Sequence, residues 1–372
     1  MALKIFHTAD LHLGMKFPKY PHFQNDLFNA RFITLNNMVN TANKEKVDLF
    51  VISGDLFQNK TPLEREIEKV TDAINNFEGK LILILPGNHD YCSEDLDNLW
   101  ENFQEKSEDN LIILNKKRII SLENYGFDAN VYPAPCHSRH SNENSVGWIK
   151  GSKIDNNVKY HIGIAHGSLE GFSPDYKKNY YPMKIRELNS LGLDIWLLGH
   201  THTQYPANHE ITNNIFISGS PEPAYGKFWP NEGKAWIISL DNSKRVKADS
   251  IKTGKFRILE ESIKLNPTIT TKDILSRFSN EEYSSILLKL KLTGTLTIEE
   301  FKKLRGLQDK LEDIVGILSL DYSAVTEEIT KNHIDSNFTE KFFPHTLLTL
   351  LQSEDSPHAL QIAWELIQEA KE

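Results

Sequence analysis

Five short apolar runs, residues 3–9, 49–53, 81–85, 161–165 and 195–198, each give way at once to a motif carrying Asp, Asn or His. A run of about four to eight apolar residues, cut off by turn formers, is the pattern of a strand buried on both faces, as in a parallel sheet. Between the first three runs, residues 23–45 and 63–77 carry apolar positions at helical spacing, so the chain opens as βαβαβ. The fold class that follows is α/β, with helices on the faces of the sheet. In such a sheet the loops at the carboxyl ends of the strands converge on one crevice, which brings motifs far apart in sequence to one place.

After the fifth run, residues 215–218, 235–240, 246–251 and 256–261 read as consecutive strands with short turns, which predicts a second, mostly antiparallel sheet. The first domain is expected to span residues 1–265. Asn266-Pro267 breaks the pattern, and a small α+β module follows over 271–325: a helix at 274–278, a strand at 286–292, one amphipathic helix at 298–313 and a strand at 317–322. A helical segment, 326–372, closes the chain, with apolar stripes at 338–351 and 357–370. Residues 133–144 read as a polar surface loop, and its His137 and His140 lack a third ligand for a metal.

No stretch approaches the ~18 apolar residues of a membrane span, and the N-terminus has no basic-then-apolar leader. The expected location is the cytoplasm. Cys92 and Cys136 are the only cysteines, too few for a disulfide framework, and read as reduced bystanders. The formal net charge is -9, and residues 306–372, with 13 Asp or Glu against 4 Lys, account for all of it. Residues 1–305 are formally neutral, so the charge neither requires nor excludes a nucleic-acid partner.

The motifs that end the five runs are Asp10-Leu11-His12, Gly54-Asp55, Gly87-Asn88-His89-Asp90, His166-Gly167 and Gly199-His200-Thr201-His202. Asp10 and His12 flank one residue and can grip one ion together. Asp55, just past a glycine, can offer one oxygen to each of two ions. Asn88 adds a neutral carbonyl oxygen, and His166, His200 and His202 add imidazoles. The assignment we infer puts Asp10, His12, Asp55 and His202 on one metal, with Asp55, Asn88, His166 and His200 on the other. Mixed carboxylate, imidazole and amide ligands suit Mn²⁺, Fe²⁺ or Zn²⁺, and Mn²⁺ is the expected pair. Two such ions lower the pKa of a bridging water and clamp phosphate oxygens in an in-line displacement. His89, beside a ligand, is the expected catalytic residue, placed to bond the phosphoryl oxygens or protonate the leaving alkoxide.

These motifs, in this order, resemble those of the calcineurin-like metallophosphoesterase superfamily. The similarity covers roughly residues 1–260 and implies a four-layer sandwich, two β-sheets flanked by helices, with the ligand roles just given. Thr8-Ala9-Asp10-Leu11-His12-Leu13-Gly14, Ser53-Gly54-Asp55-Leu56-Phe57, Pro86-Gly87-Asn88-His89-Asp90, His166-Gly167-Ser168-Leu169-Glu170-Gly171 and Ser218-Gly219-Ser220-Pro221 resemble in particular the SbcD-type DNA-repair exonucleases and their YhaO-like relatives. Residues 270–325, with Leu290-Lys291-Leu292-Thr293-Gly294, are similar to the capping domain of those nucleases. The resemblance implies that the cap helps admit a DNA end and that the terminal helices dock on a coiled-coil ATPase of the SbcC type. It leaves a homodimer open. Gln58 departs from the pattern: many SbcD-type nucleases carry a histidine there, and an amide binds a phosphate without shuttling protons.

The function expected is hydrolysis of DNA from its ends by a metal-activated water. Gln58, Lys184 and Arg186 are expected to bind the substrate, and Lys16, Lys19, Lys177, Lys178 and Lys227 are further phosphate candidates. Tyr180, Tyr181, Phe228 and Trp229 either stack on bases or pack in the core or cap. The alternative is a phosphatase or phosphodiesterase for a small molecule or phosphoprotein, which would have no need of the C-terminal module. A scaffold without activity would be expected to have lost ligands, and none is missing.

Overall fold

The computed structural model describes residues 2–370 except 19, 22, 94–97, 208–213, 224–231, 280 and 355. Lys19, Lys227, Phe228 and Trp229, named above as candidate DNA contacts, lie outside the described residues. The chain opens as β1 (Leu3–Thr8), α1 (Gln24–Lys44), β2 (Leu49–Ser53), α2 (Glu64–Asn75), β3 (Leu81–Leu85), α3 (Asn98–Glu105) and β4 (Leu111–Ile113). The four strands lie side by side in parallel, with Ile5 opposite Leu49 and Leu49 opposite Leu81. A second sheet is ordered β5 (Ile120–Ser121), β6 (Ala129–Ala134), β7 (Tyr160–His166), β8 (Ile195–Gly199) and β9 (Ile215–Ile217), with α4 (Ile185–Ser190) between β7 and β8. Next, β10 (Glu232–Leu240) runs antiparallel along β1, and β11 (Val246–Leu265) runs antiparallel along β10.

Alternation along the strands builds the layers. Ile5, Leu49, Val51, Leu83 and Leu85 face Ile162, Ile164, Ile195 and Leu197 of the second sheet, all fully buried. On the opposite face Phe6, Phe50, Ile52, Ile82 and Ile84 pack on Leu35, Met38, Val39, Ile67, Val70 and Ile74 of α1 and α2. The outer face of the second sheet is covered by Leu188 of α4 together with Ile149 and Met183. Helices, sheet, sheet and a thinner helical layer give the four-layer sandwich, and each fully buried aliphatic side chain contributes roughly 1.5–3 kcal/mol. Gly163 lets Trp196 lie flat across β7, since a Cβ there would come 2.3 Å from the indole ring.

The sheets differ from the sequence reading in three places. The second sheet is mostly parallel, because β9 joins it beside β8 while β10 and β11 go to the first sheet. Residues 246–251 and 256–261 form one strand, β11: a bulge opposite Glu232 and Lys234 takes up the residues that read as a turn. Residues 133–144 read as loop throughout, but Pro133 lies in β6, past the end of the β5 ladder, where one edge has no partner strand. Such positions tolerate proline.

Contacts divide the chain into Met1–Arg257 and Ile258–Glu372. In the second unit α5 (Thr271–Arg277) precedes β12 (Ile286–Leu296), α6 (Ile298–Lys303), α7 (Leu307–Glu312) and β13 (Ile317–Glu327), and β12 and β13 pair in parallel. Thr270 opens α5 by accepting from Asp273 N, while the Asp273 carboxylate accepts from Thr270 N, a reciprocal cap. The predicted 298–313 helix is instead two helices joined by a 3₁₀ turn at Leu304–Gly306, since glycine costs ~1 kcal/mol in a helix interior. Leu304, Leu307 and Leu311 still share the buried side with Leu288 and Leu290. The chain closes with α8 (Lys331–Asn337), α9 (Phe343–Ser353) and α10 (Pro357–Glu369), which share their own small core of Ile334, Phe338, Leu348 and Leu360. Phe338, predicted to open a helix, instead caps the end of α8.

Candidate metal centre

The first four motifs follow β1, β2, β3 and β7, and the fifth follows β8, all at carboxyl ends. Three of the turns hold side chains in left-handed backbone: Asp10 (φ 57°), His12 (φ 48°), Asp55 (φ 52°) and His200 (φ 92°). That conformation costs a non-glycine residue roughly 1–2 kcal/mol and persists only where neighbours over-determine it. Here they do. Asp10 N donates to Gly54 O at 3.1 Å and His12 N to Asp55 O at 3.0 Å, so the first two loops lock together. His200 N donates to the Asp10 carboxylate at 3.0 Å, and His89 N to Asp55 Oδ1 at 2.8 Å. Gly54 has φ +97°, and a Cβ on it would fall 2.0 Å from His166 Nδ1. The glycine before Asp55 is therefore dictated by the ring that sits over it.

The seven predicted ligands converge. His12 Nε2 is 3.2 Å from His202 Nε2 and 3.8 Å from Asp55 Oδ2, and His202 Nε2 is 3.8 Å from Asp10 Oδ1. On the other side His166 Nε2 lies 3.3 Å from Asp55 Oδ2 and 3.1 Å from Asn88 Oδ1, and His200 Nδ1 lies 3.1 Å from the same Asn88 oxygen. Ligands about 2.1 Å from one ion would stand roughly 3.0–3.4 Å apart, and four of these six separations fall in that range. The two groups share Asp55. Asp10, His12 and His202 form one candidate cluster, and Asp10, Asp55 and His166 another. His166 Nδ1 meets the Ser53 carbonyl oxygen at 2.8 Å, which can only accept, so in the neutral ring the Nε2 lone pair faces Asp55 and Asn88.

The electrostatics suit cations. Burial pushes the Asp10 carboxyl up to about 8. It pushes His200 and His202 down to about 3 and holds His12 well below its usual range. For Asp55 burial acts upward, but the charge and hydrogen bond of His166 hold it well below the usual carboxylate range. His166 rises to about 9 because Asp55 outweighs the burial that would lower it. Neutral His12, His200 and His202 around an ionised Asp55 suit a divalent transition metal, and Asp10 and His166 would release their protons on binding it.

His89 also lines the cavity of about 490 Å³ that holds Asp55, Asn88, His200 and His202. Its Nδ1 meets Gln58 O at 3.0 Å, so in the neutral ring Nε2 carries the lone pair. Gln58 thus stands at the site through its backbone, while its Oε1 is buried with no hydrogen-bond partner among the described residues. Lys184 and Arg186 lie elsewhere: Lys184 lines a separate cavity, 3.9 Å from Glu170, and Arg186 is exposed on α4. Lys178 pairs with Glu170 at 3.0 Å, while Lys16 and Lys177 are exposed. Tyr180 is held between the rings of His140 and His200, at 5.0 and 4.8 Å, and Tyr181 is buried with its hydroxyl accepting from His137 N and Ser138 N. Tyr181 is therefore a packing residue, whereas Tyr180 is half-buried and lines the cavity that holds His89 and His200.

Sequence reasoning missed Asp90. Fully buried, it accepts from Phe57 N at 2.8 Å and Gly87 N at 2.7 Å and so staples the Asp55 loop to the Asn88 loop. Its place directly after His89 was the available signal. It also missed Asp175, which folds the loop after His166 by accepting from Ser168 Oγ, Asn179 N and Tyr180 N. Nothing in the sequence marks Asp175 apart from other loop acids.

The calcineurin-like phosphoesterase profile matches residues 3–204. The chain belongs to this family. Calcineurin-like phosphoesterases of this fold bind two divalent metals, and the clusters above are the candidate site for them. Among relatives, the metallophosphoesterase YhaO of Bacillus subtilis is 28% identical over 220 residues, 54% of this chain and 48% of YhaO. A subunit of the nuclease SbcCD from Staphylococcus epidermidis is 27% identical over 284 residues, 69% of this chain and 71% of its own length. The DNA double-strand break repair protein Mre11 of Saccharolobus solfataricus is 25% identical over 227 residues, 59% of this chain and 55% of Mre11. The chain thus spans about half the length of YhaO and Mre11. Among the described residues no helix is long and apolar enough to cross a membrane.

Proposed function

We propose that this phosphoesterase hydrolyses DNA from its ends as the nuclease component of an SbcCD-like assembly, with Mn²⁺ as its metal pair. The observation that carries the reading is the shared Asp55, flanked by Asp10, His12 and His202 on one side and by Asn88, His166 and His200 on the other. In this reading those are the ligands, and the pair of ions supplies a nucleophilic water and charge stabilisation at the phosphate. His89, oriented by Gln58 O, serves the phosphoryl oxygens and the leaving alkoxide. Gln58 is assigned to the phosphate at the site, and Lys184 and Arg186, which lie outside the metal cavity, to phosphates farther along the strand. The matches to an SbcCD nuclease and to Mre11 support DNA over a small phosphomonoester.

Residues 1–265 are then the nuclease domain, 271–325 the cap and 326–372 the segment that meets a coiled-coil ATPase. Phe343 and Leu366, 74% and 61% exposed on α9 and α10, offer that partner an apolar face. The cytoplasm is the matching compartment. The test is to incubate the purified protein and Mn²⁺ with linear duplex, closed circular duplex and a phosphomonoester. Preferential loss of the linear duplex is expected, and faster turnover of the monoester would overturn the reading.

A further inference from the structure

Arg31 lies in α1 with its side chain almost wholly removed from solvent, since only 3% is exposed, and its Nη1 donates to Leu11 O. Leu11 is the residue between Asp10 and His12, both of which have left-handed backbone. The neighbouring backbone groups of that turn are held by the loops themselves. Asp10 N and His12 N donate to Gly54 O and Asp55 O, and Asp10 O lies 3.0 Å from Ser220 Oγ, which donates to it. The Leu11 carbonyl instead relies on a charged side chain from a helix twenty positions onward. The guanidinium is itself placed, lying 5.6 Å from the Phe17 ring centroid. Glu222, only 3% exposed, ties α1 to the strand beyond: it accepts from Thr34 Oγ1 on α1 at 2.5 Å and from Lys255 N at 2.5 Å. A buried charge-assisted hydrogen bond is worth roughly twice a neutral one, so this clamp is suited to holding a strained turn.

We propose that Arg31 is a positioning residue for the metal centre: by fixing the Leu11 carbonyl it aims Asp10 and His12 at one ion, without touching that ion. The proposal rests on the metal reading above, and the experiment separates the two. Mn²⁺ is titrated calorimetrically into wild type, Arg31→Met, Arg31→Lys and Leu35→Ala, with thermal midpoints recorded in parallel. Leu35 is a fully buried neighbour on α1 and controls for general loosening. The expected result is two Mn²⁺ per wild-type chain, with one of the two bound at least tenfold more weakly by Arg31→Met. Arg31→Lys, which keeps the charge without the planar fork, should fall between, and it decides the matter should the Met variant not fold. Leu35→Ala should lose thermal stability and keep both affinities. Wild-type affinities in the Arg31 variants, or an equal affinity loss in Leu35→Ala, would overturn the positioning role alone. A wild-type chain that binds no Mn²⁺ would instead sink the metal reading.

Discussion

His166 Nδ1 and Ser53 O stand 2.8 Å apart, which ties a candidate ligand at the end of one sheet's strand to the backbone at the end of the other's. This bond fixes the ring, and Gly54 leaves room for it. Gly54→Ala tests the pair: its Cβ would land 2.0 Å from His166 Nδ1 in a backbone of φ +97°. The expected outcome is a destabilisation of at least ~1–2 kcal/mol from the backbone alone, with displacement of His166 adding to it. Binding at the side of the site built on Asn88, His166 and His200 should fail first. Chemical denaturation and metal counting check this, and a variant with wild-type stability would show that the turn relaxes freely.

In the proposed reading His89 acts on substrate and does not hold the metals. Replacing it with leucine should lower kcat by roughly 10²–10⁴, the usual worth of a positioned acid or base, while elemental analysis still finds two metals per chain. Full turnover in His89→Leu would refute its role. Loss of metal in that variant would instead make it a ligand, which the candidate cluster of His12, Asp55 and His89 brings into view.

How much of this was legible beforehand depended on the period of the apolar pattern. Residues 49–53 and 81–85 are apolar on both faces, so strands and the motifs that end them could be read directly. The Asp10, His12, Asp55, Asn88, His166, His200 and His202 set followed from convergence at strand ends. The pairing of β10 with β1 could not be read, because a strand's partner here is chosen by long-range packing of Ile237 and Ile238 rather than by its local sequence. β4 and β5, with three and two residues, carry too little pattern to register. Asp90 and Arg31 escaped because their roles lie in backbone contacts made across sequence, which residue type does not announce.

The pH dependence of stability without metal has a definite sign. His7, His200 and His202 are lowered to about 3 and His12 well below its usual range, all by burial. Below the unfolded value of ~6.5 the unfolded chain takes up those protons and the native one does not, so stability is lost as pH falls from there. Asp10 and His166 shift the other way, to about 8 and about 9. The Asp10 contribution is lost from ~3.8 up to about 8 and that of His166 from ~6.5 up to about 9, so above ~6.5, where the lowered histidines add nothing more, stability declines. In EDTA the thermal midpoint should therefore peak near neutrality. Saturating Mn²⁺ competes for the same lone pairs and should remove the alkaline decline. A midpoint in EDTA that keeps climbing up to pH 9 would contradict the assigned shifts.

The terminal helices should be separable from the chemistry. Ile334, Phe338, Leu348 and Leu360 form a cluster of their own, distinct from the one built on Leu288, Leu290, Leu304 and Leu307. Removing residues 330–372 therefore takes away all of that small core except Ile329 and leaves the other cluster untouched, which favours a clean truncation. The shortened chain should hydrolyse a simple phosphodiester at the wild-type rate and should fail to recover a coiled-coil ATPase that the full chain recovers. Phe343→Asp with Leu366→Asp, both at exposed positions, should reproduce the loss of partner without shortening the chain. Loss of diester hydrolysis in either variant would mean that these helices support the catalytic unit, and their apolar face would then need no partner to explain it.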